Sequence, residues 1–349
     1  MLAPVTHILP LTNIRRTRTL PVSGRVVARV GQKVSAADVI ADASVPSRHI
    51  LLDIRRGLGV NSASAAEKAI VRQEGNKLTK GDVIAESGGM FSRIVRAPAD
   101  GEIVSISAGQ VLLRVQSTML ELKAGMSGTV VEILPERGAV IETNGGLVQG
   151  VWGNGRVDSG LLLVLAKQPD EELTRARIDV SMRGAVALAG TCSSADALQA
   201  AAELPLRGLI LASLASSLVP VANKLAYPIV VLEGFGQIPM NDTAYKLLST
   251  SEKRDVSINA ILSPKTGERP EIVIPLPTTG QGAPETDYFA ANQTVRIQGE
   301  PYQGKIGKII QVRQGLATLP NGIRALAADV QLDADTRVLV PLANLDVLE

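Results

Sequence analysis

One stretch of this chain occurs twice. Gly31-Gln32-Lys33-Val34-Ser35-Ala36-Ala37-Asp38-Val39-Ile40-Ala41 aligns without a gap on Gly75-Asn76-Lys77-Leu78-Thr79-Lys80-Gly81-Asp82-Val83-Ile84-Ala85. Each copy reads as a turn at Gly and Lys, a short alternating segment, a second turn carrying Asp, and a strand ending in Val-Ile-Ala. That order suits small antiparallel β units and predicts paired hairpins in one sandwich. Between the copies, residues 62–74 are rich in Ala. Ser64 stands three residues before Glu67 there, the spacing at which each can satisfy the other's backbone N–H, so a short helix is predicted. A strand-turn series follows at 94–106, with Asp100-Gly101 supplying the turn.

Two motifs in this region resemble a known family. Ala-Pro-x-Asp-Gly-x-Ile from Ala97 to Ile103, and Val-Gly-x-x-Val-x-x-x-Asp-Val-Ile-Ala from Val30 to Ala41, are similar to the barrel-sandwich hybrid of biotinyl and lipoyl domains and their non-carrier relatives. The resemblance implies a β domain over 20–166. Carrier domains hold a Lys on an exposed hairpin tip, flanked by Met in biotin carriers or by Asp and Ala in lipoyl carriers. Lys123 and Lys80 are the nearest residues and neither has that setting, so both read as solvated surface lysines and no covalent cofactor is expected.

Residues 125–166 continue as strands. A glycine-rich stretch at 144–155 holds the single tryptophan, Trp152. No Lys-Ser/Thr follows it as in a phosphate loop, so its glycines read as β turns. The pattern then changes. Apolar segments at 184–190, 208–212 and 228–232 alternate with helical ones at 194–204 and 216–225, and a further helix begins near Thr243. Continuous apolar strands alternating with helices predict a small parallel α/β domain over 178–275. A Pro, Gly and Thr-rich stretch at 275–284 reads as a linker. Beyond it, Gly304 and Gly307 with Ile309, and a closing strand followed by Asn344-Leu345, resemble a KOW-type SH3-like barrel over 293–349. The expected fold class is multi-domain α+β, mainly β.

A length of 349 residues fits roughly two to four domains. The 36 Lys and Arg against 34 Asp and Glu leave a net charge of +2, too little for a whole-protein field directed at nucleic acid or an anionic membrane. A single cysteine, Cys192, cannot form an internal disulfide, and the cytoplasm is the expected location. Residues 1–21 have no continuous apolar core of signal-peptide length. The apolar run 161–166 is far below the roughly 20 residues a helix needs to span a bilayer, so no membrane partner is expected. His7 and His49 lie in no metal-ligand spacing, and no metal is expected.

Two groups of residues are candidates for binding. Ligands of open parallel sheets sit beyond the carboxyl ends of the strands. That places Thr191, Cys192, Ser193, Ser213, Glu233 and Gly234 at a weak ligand-binding site. Near a helix N-terminus the Cys192 thiolate could be stabilised; the plainer expectation is that Ser193 and Ser194 cap the helix and Cys192 packs. In the C-terminal segment Lys305, Lys308, Arg313 and Arg324 could meet phosphates. Aromatics at 2% leave few stacking platforms, and Asp329, Asp333 and Asp335 offset the basic charge. No catalytic constellation is complete. The expected function is a non-enzymatic scaffold or adaptor that binds a protein partner or self-assembles. The alternatives are a nucleic-acid-associated protein acting through its C-terminal barrel, or a small-ligand-binding α/β module.

Overall fold

A computed structural model describes residues 2–45, 48–88, 92–115, 118–263, 267–278, 280 and 287–349. The fold is mainly β, with several sheets and a few short helices. Two compact units make up the chain. One comprises Met1–Thr19, Val26–Ala41 and Leu122–Glu349; the other comprises Leu20–Arg25 and Asp42–Glu121, so most of the smaller unit is inserted between two halves of the larger.

In the smaller unit the strands His49–Asp53, Gln110–Val115, Gly101–Ser107 and Lys77–Leu78 form an antiparallel sheet in that order. Val83–Glu86 pairs with Ile94–Arg96. Two short helices join them. Ile54–Leu58 begins at Asp53, whose carboxylate accepts from Arg56 N, and ends at Gly59 with φ +69°. Ala63–Ala69 begins at Ser62, whose hydroxyl accepts from Ala65 N at 3.1 Å. The expected cap at Ser64 is therefore displaced: Ser64 lies inside the first turn, and Glu67 accepts from Gly109 N at 3.3 Å instead. Ile54, Leu58, Ile84, Ile103, Val111 and Leu113 fill the core.

The repeat folds the same way twice. Gly31 N donates to Val130 O at 2.8 Å and Val130 N to Gln32 O at 2.9 Å; Gly75 N donates to Ile103 O at 2.8 Å and Ile103 N to Asn76 O at 3.0 Å. The Asp38 carboxylate accepts from Ser35 N, and Asp82 from Thr79 N. Both leading glycines need the left-handed region, at φ +81° and +83°. Contrary to the paired hairpins in one sandwich expected from sequence, one copy lies in each unit. The reason is that each turn takes its partner strand from its own unit, Gly128–Leu134 for the first copy and Gly101–Ser107 for the second. The duplication also runs further than the sequence shows. Ala124 N donates to Asp38 O and Ala97 N to Asp82 O, both at 2.8 Å, and five-residue segments from these alanines lead to Gly128 and Gly101, which pair with Val34 and Leu78.

The larger unit is built on a mixed twelve-stranded sheet. Val157–Val164, Ala185–Leu188, Gly208–Leu214 and Ile229–Phe235 run parallel, side by side in chain order. Successive side chains point to opposite faces. Val186, Leu188, Ile210, Ala212, Val230 and Leu232 pack with Ala244 and Leu248 of the helix Asp242–Ser249. Ala187, Leu209, Leu211, Ile229 and Val231 pack with Ala197, Leu198 and Ala201 of the helix Ala195–Glu203. The α/β sheet thus starts earlier than residue 178, because Leu161 pairs with Ala185. The expected helix at 216–225 is split into Ser216–Leu218 and Val219–Ala222, with Pro220 in the first turn of the second. On the far side, Asp255–Asn259 and Glu271–Pro275 lead antiparallel to Gly138–Gln149, along which Ile8–Thr19 runs.

The C-terminal residues form a six-stranded sheet in the order Val5–Thr6, Leu345–Leu348, Thr294–Ile297, Ile306–Thr318, Arg324–Gln331 and Arg337–Pro341. The first of these comes from the N-terminus and runs parallel to the last strand of the chain, Val5 facing Val347. Val295, Ile297, Ile309, Val330 and Val347 form the core. Half of the linker at 275–284, residues 279 and 281–284, lies outside the described residues. Among the described residues no helix is long and apolar enough to cross a membrane.

Candidate functional site

At the carboxyl ends of the parallel strands, most of the sequence-predicted residues are taken up by contacts with neighbouring loops. The Ser213 hydroxyl donates to Gly236 O and accepts from Ile238 N, both at 3.0 Å, which fastens the loop after Phe235 back onto the neighbouring strand. Gly234 makes that bend at φ +144°. Thr191 is buried and pairs in register with Ser213. The Ser193 hydroxyl is bonded to the Glu172 carboxylate, and Ser194, in the cap position of the next helix, makes no side-chain cap bond. The two serines therefore do not cap it as expected. Cys192 is buried in the apolar layer, and burial pushes its thiol up to about 11. That is the reverse of the stabilised thiolate considered from sequence, because desolvation outweighs the opposing backbone hydrogen bond at Ser194.

Glu233 reaches the C-terminal sheet, to a partner that sequence analysis missed. Its Oε1 accepts from Asn241 N at 2.8 Å and its Oε2 lies 2.5 Å from Arg296 Nη1. Arg296 Nη2 binds Asp346 Oδ2 at 2.7 Å, and Nη1 also donates to Leu232 O. All three charged side chains are nearly inaccessible to solvent. Burial opposes the Arg296 charge, but Glu233 and Asp346 overcome it and hold its pKa above the ordinary value. The signal was present in the alternation: Arg296 sits between the core residues Val295 and Ile297, and Asp346 between Leu345 and Val347. Each therefore points away from the core of this sheet, and the two strands pair Arg296 directly with Asp346.

The cluster continues towards the surface. Thr6 Oγ1 donates to Asp346 Oδ2 and accepts from Arg269 Nη1, both at 2.7 Å, and Arg269 Nη1 lies 3.6 Å from Asp346 Oδ1. That Oδ1 has no hydrogen-bond partner among the described residues. Here a cleft of about 390 Å³ opens, lined by Arg269 and Asp346 with Pro4, Val151, Leu262 and Leu345 among its apolar residues. Nearby His7 is buried, and burial first, then Arg16 and Arg269, lower its pKa.

The four basic candidates lie on or beside the hairpin Ile306–Thr318 and Arg324–Gln331. They do not converge. Lys305 and Lys308 are exposed near its base, with Lys305 Nζ 5.9 Å from the Tyr302 ring centre, and Arg324 is near the tip opposite Thr318. Arg313 is partly neutralised by Asp329 at 2.6 Å, to which Arg337 also binds at 3.2 Å. A comparison with protein-family models and with curated proteins finds no match to this chain.

Proposed function

We propose that this chain is a non-enzymatic scaffold or adaptor of the cytoplasm, built from two barrel-sandwich motifs, an α/β layer and an SH3-like barrel. The doubled turn with its Ala-to-Gly strand entry supports the first element, and the single 3₁₀ turn Leu342–Asn344 before the last strand supports the barrel. The observation that carries the function is the hairpin arm. From Arg313 to Leu326 its side chains are almost all outside the core, with Leu319 the one buried residue. Leu316 is 55% exposed and faces Leu326 across the strands, and Ile323 is 60% exposed beside the turn. Apolar side chains grouped on a projecting ribbon mark an interaction surface.

A photo-crosslinking residue at position 316, compared with one at the exposed Gln314, tests this in cell extract and with the purified chain. Recovery of one discrete adduct, with a partner or with a second copy, at 316 and not with Leu326→Asp is the expected result. No adduct at either position refutes it. A nucleic-acid function has one specific observation in its favour: the arm carries Lys308, Arg313 and Arg324 and no acidic residue between 306 and 328. Salt-dependent binding lost in a Lys305→Ala, Lys308→Ala, Arg324→Ala triple variant would establish it. Deleting 293–349 is the wrong test, since it leaves Glu233 without Arg296.

A further inference from the structure

In the smaller unit, the strand His49–Asp53 ends its antiparallel sheet and bonds on one side only, to Gln110–Val115. The register is continuous, from His49 opposite Arg114 to Asp53 opposite Gln110. Val115 N donates to Arg48 O, and Ile54 N to Gly109 O. Bonded and non-bonded pairs alternate in an antiparallel ladder, so between those two bonds Ile50 and Leu52 turn their N–H and C=O groups to the neighbour. His49, Leu51 and Asp53 turn theirs to the open side, where no strand receives them among the described residues. Open edges are commonly blunted by shortness, charge or proline. The strands at either end of the six- and twelve-stranded sheets are two residues long or, in Arg337–Pro341, carry an arginine and a proline; the other end of this sheet is the two-residue Lys77–Leu78. His49–Asp53 has five residues with no lysine, proline or bulge, and Leu51 at its centre is 58% exposed.

The strand is also its own complement. Laid antiparallel on a second copy about Leu51, the open backbone groups of Leu51 meet those of the other Leu51, Ile50 faces Leu52, and His49 faces Asp53 at both ends. Alternation puts His49, Leu51 and Asp53 on one face of the sheet, where Leu51 has Leu112 beside it. One Asp53 oxygen accepts from Arg56 N at 3.0 Å; the other, like the His49 ring, has no partner among the described residues. The pairing thus sets an imidazole N–H against a carboxylate at each end and joins two exposed leucines in the middle. We infer that His49–Asp53 is a dimerisation edge, pairing antiparallel with the same strand of a second copy about a two-fold axis at Leu51. Two four-stranded sheets then become one of eight. The contact is isologous and closes at two copies. It uses no residue of the hairpin arm and does not depend on the function proposed for that arm.

Five paired residues a side make a small interface, so a weak, reversible dimer is expected. Light scattering of the full chain across a concentration series tests it, with the mass rising from one copy towards two. Leu51→Lys, which sets like charges face to face at an exposed position, should raise the dissociation constant about tenfold or more, whereas Leu326→Asp on the arm should leave it unchanged. His49→Asp should also weaken the dimer, and adding Asp53→Asn, which keeps a helix cap, should recover part of the loss. The register is read with Leu51→Cys. Opposed Cα atoms of a bonded pair stand about 5.5 Å apart, within disulfide range, and the native Cys192 is buried. Oxidised glutathione should therefore yield a disulfide-linked dimer of Leu51→Cys and not of His49→Cys. A chain that stays monomeric throughout, a dimer unaffected by Leu51→Lys, or equal crosslinking at 49 and 51 overturns the inference.

Discussion

In the first copy of the repeated motif, Ile40 belongs to a core with Ile14, Val130, Ile141, Leu147 and Val273; in the second, Ile84 belongs to one with Ile54, Leu58, Ile103, Val111 and Leu113. The turns, the aspartate brackets and the glycines at strand entry are the same. What differs is where the remaining core residues come from. The second motif closes on residues between 54 and 113, all within its own unit. The first draws on a strand near the N-terminus and on another beyond residue 270, and through them becomes part of a twelve-stranded sheet. One local design can therefore stand as a module or be absorbed into a larger sheet, depending on whether its neighbours in space are also neighbours in sequence. Contacts of long sequence separation also form later and more slowly, so the second motif is expected to fold first.

Trp152 and all four tyrosines lie in the larger unit, which gives the comparison a spectroscopic handle. The largest effect is expected from Arg296→Ala, which strands Glu233 and Asp346 as buried charges and costs about 3–5 kcal/mol. Denaturation followed by Trp152 fluorescence should move by that amount while amide protection around Ile84 and Val111 stays in place; loss of both together would show that the units unfold as one. Next come Ile40→Ala and Ile84→Ala. Both side chains are fully buried, and each truncation should cost roughly 2–5 kcal/mol. Only Ile40→Ala is expected to shift the Trp152 transition, whereas Ile84→Ala should appear in hydrogen exchange of residues 42–121.

Gly128→Ala and Gly101→Ala probe the equivalence itself. An added Cβ would meet the Glu142 carbonyl oxygen at 2.6 Å and the Arg114 carbonyl oxygen at 2.5 Å. Similar losses of about 1–3 kcal/mol are expected for the two by chemical denaturation. A cost at one and not the other would end the claim that these are matching positions. The smallest effect is that of Asp82→Asn. The Thr79 backbone N–H, and then its side chain, hold the Asp82 carboxyl below its ordinary 3.8. A carboxyl whose folded pKa is depressed stabilises the fold above that ordinary value and loses the contribution as pH falls through the folded one. Hydrogen exchange at the 79–82 turn should thus differ between wild type and variant at neutral pH and converge in acid; a difference that persists unchanged below the folded pKa would count against the carboxylate.

Much of the α/β layer was legible. The apolar strands at 185–188, 208–214 and 229–235, and the helix at 195–203, fall where the periodicity placed them, because those patterns are set by neighbours along the chain. The first strand of the layer was misplaced: a run such as Leu161-Leu162-Leu163 marks an apolar strand but not which sheet receives it. Glu233 was found as a polar residue at a strand end, but its partner Arg296 was not, since the two are 63 positions apart and a single charged residue inside an apolar alternation does not say what lies opposite.

By itself, then, the sequence determined the local events: the glycine turns that need positive φ, the aspartates that bracket them, and the strand and helix periods. Tertiary structure decided the pairings. It placed the two repeat copies in different units, laid Val5–Thr6 against the last strand of the chain, and brought Arg296 between Glu233 and Asp346 beside the Arg269 cleft. The physical reason is that turn geometry and side-chain alternation are properties of a few consecutive residues, whereas a strand's hydrogen-bonding edge accepts any partner of suitable register. Which partner it receives is chosen by the apolar area and the charges that the whole chain must bury together.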